Sequence, residues 1–217
     1  MTIEGRILSL ISGGIDSTVA AYMASFEGKL EVYALNFDIK PYIGEEEAVK
    51  PLEICNRLKK IIPLRELHIV PHGGNLAKIV SSCSRKLTCI ICKRLMLRIA
   101  SRIALEVGAS ALVTGDSLGQ VASQTLANLR VEDEASSLPV LRPLLGLNKN
   151  EIISIARRIG TYEVSASKPQ TCRAAPSSPT TEARVERVRF EEGKLPLSEM
   201  VEEAVRARRI YRFEGEV

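Results

Sequence analysis

Apolar residues recur along the chain in short runs, each followed by glycine or proline and then by a stretch with helical spacing. Residues 6–11 predict a buried strand, and about 16–27, with Val19, Ala20, Met23 and Ala24 recurring at helical intervals, predict a helix closed by Gly28. A second strand is expected over 31–37, followed by a polar loop carrying Pro41 and Gly44. Residues 45–62 look helical, with a kink or true start at Pro51 and a stop at Pro63. A third strand, 67–70, is closed by Pro71-His72-Gly73-Gly74. A short helix over 77–82 and a long one from about 89 to 107 come next. Residues 111–114 predict a fourth strand, 120–129 a helix, 139–141 a fifth strand ending at Pro143, and 149–159 a helix stopped by Gly160. Strands separated by helices indicate an α/β fold: a parallel five-stranded sheet with helices on both faces. Right-handed crossovers then gather the loops after strands one, two and four on one rim.

Length and composition narrow this picture. A chain of 217 residues can bury one sizeable core, and the pattern divides it into a main domain over 1–164 and a C-terminal extension over 165–217 that packs on it. The extension opens with a stretch rich in Ser, Pro and Thr and continues with mixed charge; no internal repeat is visible. Apolar content of 45% with 26% charged residues is that of an ordinary globular protein, and no apolar run reaches the roughly 20 residues of a membrane span. With no leader pattern before the first strand, the expected location is the cytoplasm. A net charge of +4 permits nucleic-acid binding without demanding it.

The chemistry concentrates where the first strand meets its helix, at Ser12-Gly13-Gly14-Ile15-Asp16-Ser17. Glycines let a backbone approach phosphate closely, and the open N–H groups of a first helical turn face it. Ser12 and Ser17 add hydroxyls. Asp16 beside phosphate is repulsive unless a cation intervenes, which suggests pyrophosphate with Mg²⁺. The string is neither a dinucleotide fingerprint nor a lysine-bearing P-loop. It resembles the pyrophosphate loop of the PP-loop ATPases, which cleave ATP between its α and β phosphates and adenylate an oxygen.

Five cysteines form the second signal: Cys55, Cys83, Cys89, Cys92 and Cys172. Cys55 reads as a core thiol. Cys89-Ile90-Ile91-Cys92 at a helix start is a redox pair, half of a zinc or iron–sulfur site, or two buried cysteines on a core helix. Cys172 lies in an irregular stretch with no packing period to account for it. Three thiols suit a [4Fe–4S] cluster with one open iron, with Zn²⁺ and Cys83 as fourth ligand the alternative. Arg94, Arg98 and Arg102 share a helix face, either a solvated stripe or a track for phosphate or RNA. His68 is expected to be structural, and His72 to lie near the rim.

Over nearly its whole length the chain resembles the PP-loop domain of the ThiI-type tRNA 4-thiouridine synthetases. The resemblance rests on Ser12 to Ser17, on Lys93-Arg94-Leu95-Met96-Leu97-Arg98-Ile99, on Thr114-Gly115-Asp116-Ser117-Leu118-Gly119-Gln120-Val121-Ala122-Ser123-Gln124-Thr125, on Leu138-Pro139-Val140-Leu141-Arg142-Pro143-Leu144 and on Asn148-Lys149-Asn150-Glu151. It implies a Rossmann-like fold of the adenine nucleotide alpha hydrolase type and a two-step reaction. Uracil O4 attacks the α-phosphate of ATP, and a sulfur nucleophile then displaces AMP from the base. Leu10, Ile11, Ser12, Gly13, Gly14, Ser17, Asn36, Phe37, Lys93, Gly115 and Gln124 would line the nucleotide pocket. Asp16 would serve pyrophosphate and Mg²⁺, Lys149 would be catalytic, and Cys172 would handle sulfur. By likeness to archaeal members, Cys89, Cys92 and Cys172 would hold a [4Fe–4S] cluster. The chain departs from the family at Asn36, where His is usual, and at Lys93, where Arg is usual. It also opens at strand one, so the implied partners are tRNA with a separate RNA-binding protein of THUMP type, and a sulfide or persulfide donor. A homodimer is among the options. Two other readings are a thiolation enzyme for a small metabolite or carrier, and a non-catalytic ATP-binding subunit.

Overall fold

The apolar runs line up as strands of one sheet in the computed structural model, which describes residues 5–25, 29–118, 124–166 and 171–213. The elements in chain order are β1 (Arg6–Leu10), α1 (Ile15–Ala24), β2 (Glu31–Asp38), α2 (Glu45–Leu58), β3 (Leu64–Pro71), α3 (Gly73–Ser82), α4 (Thr88–Val107), β4 (Ala111–Val113), α5 (Leu126–Asp133), β5 (Val140–Leu141), α6 (Lys149–Arg158), α7 (Tyr162–Ser165), α8 (Val185–Glu192), α9 (Leu197–Arg206) and β6 (Arg209–Arg212). The strand order is β5-β4-β1-β2-β3-β6. The first five strands are parallel, and β6 runs antiparallel beside β3.

Alternate side chains of each strand feed opposite faces. Ile7, Ala34, Ile69 and Val113 enter one apolar cluster, while Leu8, Leu35, Val70 and Leu112 enter the other. Helices α1, α2 and α6 cover the first cluster through Val19, Ile54 and Ile152. Helices α3, α4, α8 and α9 cover the second through Leu76, Leu95, Val188 and Met200. A strand buried on both sides reads as a continuous apolar run, which is why the sequence pattern marks these strands clearly.

Several expectations need correction. The sheet has six strands rather than five, because Arg209-Ile210-Tyr211-Arg212 forms an edge strand. Three of its four residues are exposed, so it lacks the apolar signal of a central strand. Helix α2 runs through Pro51 from Glu45, α3 begins at Gly73, and α5 begins at Leu126 with Thr125 as N-cap, its side chain accepting from the Asn128 N–H. The proposed Gly28 cap and residues 119–123 of the long matching string lie outside the described residues.

The arginine stripe of α4 is also not a free track. Arg94 is 2% exposed, and its Nε and Nη2 donate to both oxygens of Glu192 on α8 at 2.9 and 2.8 Å. A further bond runs from its Nη1 to the Val131 carbonyl. Arg98 donates to the same Glu192 at 2.9 Å, and Arg102 pairs with Glu202 of α9 at 3.7 Å. The stripe therefore fastens the C-terminal helices. Removing one partner of a buried ion pair strands the other, at a cost of about 3–5 kcal/mol. Glu192→Ala is expected to lose stability on that scale, read as a lower urea midpoint; an unchanged midpoint would show that the pair contributes nothing net.

Candidate functional site

The sheet order reverses direction between β1 and β4, so the loops after these strands part over a crevice. A cavity of about 680 Å³ opens there, within the size range of small-molecule sites. Its wall includes Ser12, Gly13, Gly14, Asp16 and Ser17 after β1 and Asn36 and Phe37 from β2. Lys93 of α4, Gly115 and Gln124, Lys149 of α6, and Cys172 belong to it too. Leu10 and Ile11 line it as well.

Local geometry shapes the loop after β1. Gly13 has φ +93°, a conformation that side-chain-bearing residues rarely adopt. A Cβ there would also stand 3.2 Å from the Lys50 Cβ of α2. Ser17 Oγ accepts from the Ser12 N–H at 3.1 Å and donates to the Gly14 carbonyl at 3.1 Å, closing the loop onto α1. Gly14 is the N-cap and has no side chain to cap the helix, which leaves the first turn open to an anion. Gly115 meets that turn from the opposite side: a Cβ on it would lie 2.6 Å from the Ser17 nitrogen. Only glycine fits there. Asn36 donates from Nδ2 to the Ile11 carbonyl at 2.8 Å and so fixes the end of β1.

Two charged groups stand apart along the cavity. At the loop, Lys149 Nζ lies 2.5 Å from Asp16 Oδ1, with 45% and 30% of the side chains exposed. Lys149 is the first residue of α6, whose start is fixed by a capping box between Asn148 and Glu151. Deeper in, Asp116 is a hub. It accepts from Lys93 Nζ at 3.0 Å and Gln124 Nε2 at 3.1 Å on one oxygen, and from Thr114 Oγ1 at 2.8 Å and Arg142 Nε at 3.3 Å on the other. Burial opposes its ionisation, but Lys93, Thr114 and Arg142 together hold its pKa below the usual carboxylate value. Lys93 also reaches Glu132 at 3.4 Å; burial works against its ammonium, and the two carboxylates outweigh that and raise its pKa. Asp116 and Arg142 sit inside the strings that carry the family resemblance, yet nothing in spacing alone assigns them to one network. Glu132 and the buried Lys50–Glu47 pair of α2, both in the cavity wall, have no sequence signal of their own.

Of the cysteines, Cys89, Cys92 and Cys172 lie near one another, with Cys172 in this wall. Cys172 lines the cavity, and its charge would bear on both Cys89 and Cys92. Burial, reinforced by that mutual proximity, raises the Cys89 and Cys92 thiols. Cys92 Sγ lies 3.4 Å from His72 Nε2, and burial lowers that imidazole to about 4, so it is neutral at pH 7. Among the described residues no three His, Cys, Asp or Glu side chains are placed to hold a metal ion. Cys89, Cys92 and Cys172, expected to share one metal centre, are close enough to act on one another's charge but do not surround a single ion, and Cys92 Sγ faces His72. Cys83, the alternative fourth ligand, donates instead to the Glu191 carbonyl at 3.4 Å. His68, expected to be structural, is buried in β3 and bonds Glu66 at 2.9 Å. No helix among the described residues is long and apolar enough to cross a membrane.

Comparison with known proteins gives a consistent result. Residues 2–197 match the family model described as thiamine biosynthesis protein (ThiI). The chain is 38% identical over 214 residues to a probable tRNA sulfurtransferase of Methanosarcina acetivorans, covering 97% of this chain and 51% of that protein. A probable tRNA sulfurtransferase of Thermus thermophilus is 41% identical over 213 residues, covering 97% and 52%. The chain thus spans about half the length of these curated relatives. Among solved structures, a 4-thiouridine synthetase–RNA complex with bound ATP superimposes with TM-score 0.90 at 35% identity, over 97% of this chain and 55% of that one. The NMN synthetase of Francisella tularensis, at TM-score 0.59 and 16% identity over 93% and 84%, shares the fold alone. With its model matched over most of the sequence, the ThiI family is the one to which this chain belongs.

Proposed function

We propose that this chain is the ATP-dependent adenylating and sulfur-transferring part of a tRNA 4-thiouridine synthetase. The observation that carries the reading is the crevice between β1 and β4, where an uncapped glycine loop and the Asp16–Lys149 pair share one cavity. The related structure with ATP and RNA, and the names of the relatives, support the choice of substrate.

In this reading the Ser12 to Ser17 loop holds the pyrophosphate of ATP, with Asp16 turned to Mg²⁺. Asn36, Phe37, Gly115 and Gln124 bound the rest of the nucleotide. Lys149 is released from Asp16 to face the α-phosphate as charge builds there. Uracil O4 takes the adenylyl group, and pyrophosphate leaves. Cys172 lies on the same wall to serve the second step, in which sulfur displaces AMP from carbon 4. The donor set of Cys89, Cys92 and Cys172, three soft thiols without oxygen ligands, is that of an iron–sulfur cluster rather than a hard cation. When bound, a [4Fe–4S] cluster would supply an iron on which hydrosulfide can be held. Recognition of tRNA is assigned to a THUMP-type partner.

Mass spectrometry of tRNA nucleosides from a deletion strain tests the function: 4-thiouridine should vanish and return when the gene is restored. Intact 4-thiouridine in the deletion strain would overturn it. Iron and sulfide analysis of anaerobically purified protein should show both elements, lost together in Cys89→Ser; protein free of iron would leave Cys172 as a persulfide carrier.

A further inference from the structure

The buried network around Lys93 carries one carboxylate too many. Among the described residues, Asp116, Glu132 and Asp133 face only two cations, Lys93 and Arg142, the latter bound to Asp133 by two bonds of 2.6 and 3.0 Å. Asp133 is partly exposed and Asp116 is bonded on both oxygens, so the surplus falls on Glu132. Glu132 is 1% exposed and lines the cavity. Its Oε2 engages Lys93, and its Oε1 has no hydrogen-bond partner among the described residues. An unpaired buried carboxylate oxygen in a cavity wall is costly unless a ligand or a proton occupies it.

The charged and titratable groups around it are few. Lys93 of α4, Asp116 after β4 and Arg142 after β5 act on it directly. Cys89 and Cys92 feel its charge, and no hydrogen bond joins them to it. Burial, only partly offset by Lys93, lifts Glu132 to about 7. A group with such a value can exchange a proton in either direction at neutral pH.

Resting on the reading above, adenylation of uracil has a proton to dispose of. When O4 attacks phosphorus, the O4–P bond forms and the bond from the α-phosphorus to pyrophosphate breaks. The N3–H electron pair becomes the N3=C4 bond, and the proton must leave. We propose that Glu132 is the base of this half-reaction, its Oε1 accepting the N3 proton of the bound pyrimidine. The carbon being thiolated must meet both the phosphate and the sulfur, and Glu132 lines the same cavity as Gly13 and Cys172.

The test follows AMP and pyrophosphate formation by the chain together with its THUMP-type RNA-binding partner, from ATP and a uridine-containing tRNA transcript, between pH 5.5 and 8.5. In the wild type the rate should rise about tenfold per unit below about pH 7 and then level. Glu132→Gln keeps a carbonyl oxygen for Lys93 but cannot take a proton; it should lose that limb and run about 10²-fold slower at the plateau, with ATP affinity within about twofold. Glu132→Asp, a fallback should the amide disturb folding, should keep the limb at a reduced rate. Infrared titration without substrate should show one buried carboxyl band fading near pH 7, absent from Glu132→Gln. A glutamine variant with the wild-type profile, or no carboxyl titrating near neutrality, overturns the assignment. Wild-type protein that makes no pyrophosphate while the infrared band titrates overturns the adenylation reading, and with it the step assigned to Glu132.

Discussion

Replacement of Asp16 by alanine is expected to abolish adenylation while leaving the fold almost untouched. The carboxylate sits in the first turn of α1, beside a loop whose glycines bring backbone N–H groups within reach of phosphate. In the proposed reaction Asp16 holds a cation against pyrophosphate, so without it the charge on the leaving group would go unneutralised. Its partner Lys149 is nearly half exposed, and an ion pair of that kind contributes only about 0–1 kcal/mol. The thermal midpoint should therefore move by little. Exchange of labelled pyrophosphate into ATP in the presence of tRNA reads the catalytic loss, which should exceed a hundredfold, as for loss of one preorganised charge contact. Exchange at the wild-type rate would place Asp16 outside the reaction.

The second large effect is expected at Lys149. A capping box fixes the start of α6, so the lysine backbone is held before any ligand arrives. Its side chain has a short reach to the glycine loop, where it meets Asp16. A cation stationed there stabilises charge that grows on the α-phosphate only in the transition state, an effect of about 10²–10³ in rate. Lys149→Met keeps much of the aliphatic bulk and removes the charge. The expected result is a fall in kcat of that order with the ATP Kd little changed, measured by single-turnover AMP release and by equilibrium binding. A rise in Kd with kcat intact would make Lys149 a ground-state binding residue instead.

The half of the molecule that builds the crevice is legible because its signals are local. Leu8 and Leu35 lie in strands buried on both faces, and Gly13-Gly14 and Asp16 follow directly from β1. What is not legible depends on partners far away in the chain. Arg94, Arg98 and Arg102 read as a surface stripe because nothing in their own neighbourhood announces Glu192 or Glu202. Helix α8, with a charged sequence, is buried at Glu192 by those same pairings and at Glu191 by Lys194 and the Ser84 N–H. Strand β6 hides behind its arginines. The spacing of Cys89 and Cys92 gave their helical turn correctly but not the direction of Cys92, which is set by His72 from the preceding helix cap. Glu132 gains its character only from the cations that the sheet order gathers around it.

The grip of Glu192 on Arg94 has a consequence for the order in which the protein can be made. Helix α4 leaves the ribosome with Lys93 and both cysteines of the C-x-x-C in place, but its buried arginine finds its carboxylate 98 residues later. At about 5–20 residues per second, that is an interval of some seconds during which Glu134, 3.7 Å away in the finished fold, is the carboxylate within reach of a cation on a face destined for the interior. The nascent chain can lay down β1 to β4 in that time, yet the wall of the cavity formed by α4 settles only when α8 arrives. Synthesis of the last fifth of the chain thus acts as the closing step for a site whose glycine loop was finished first.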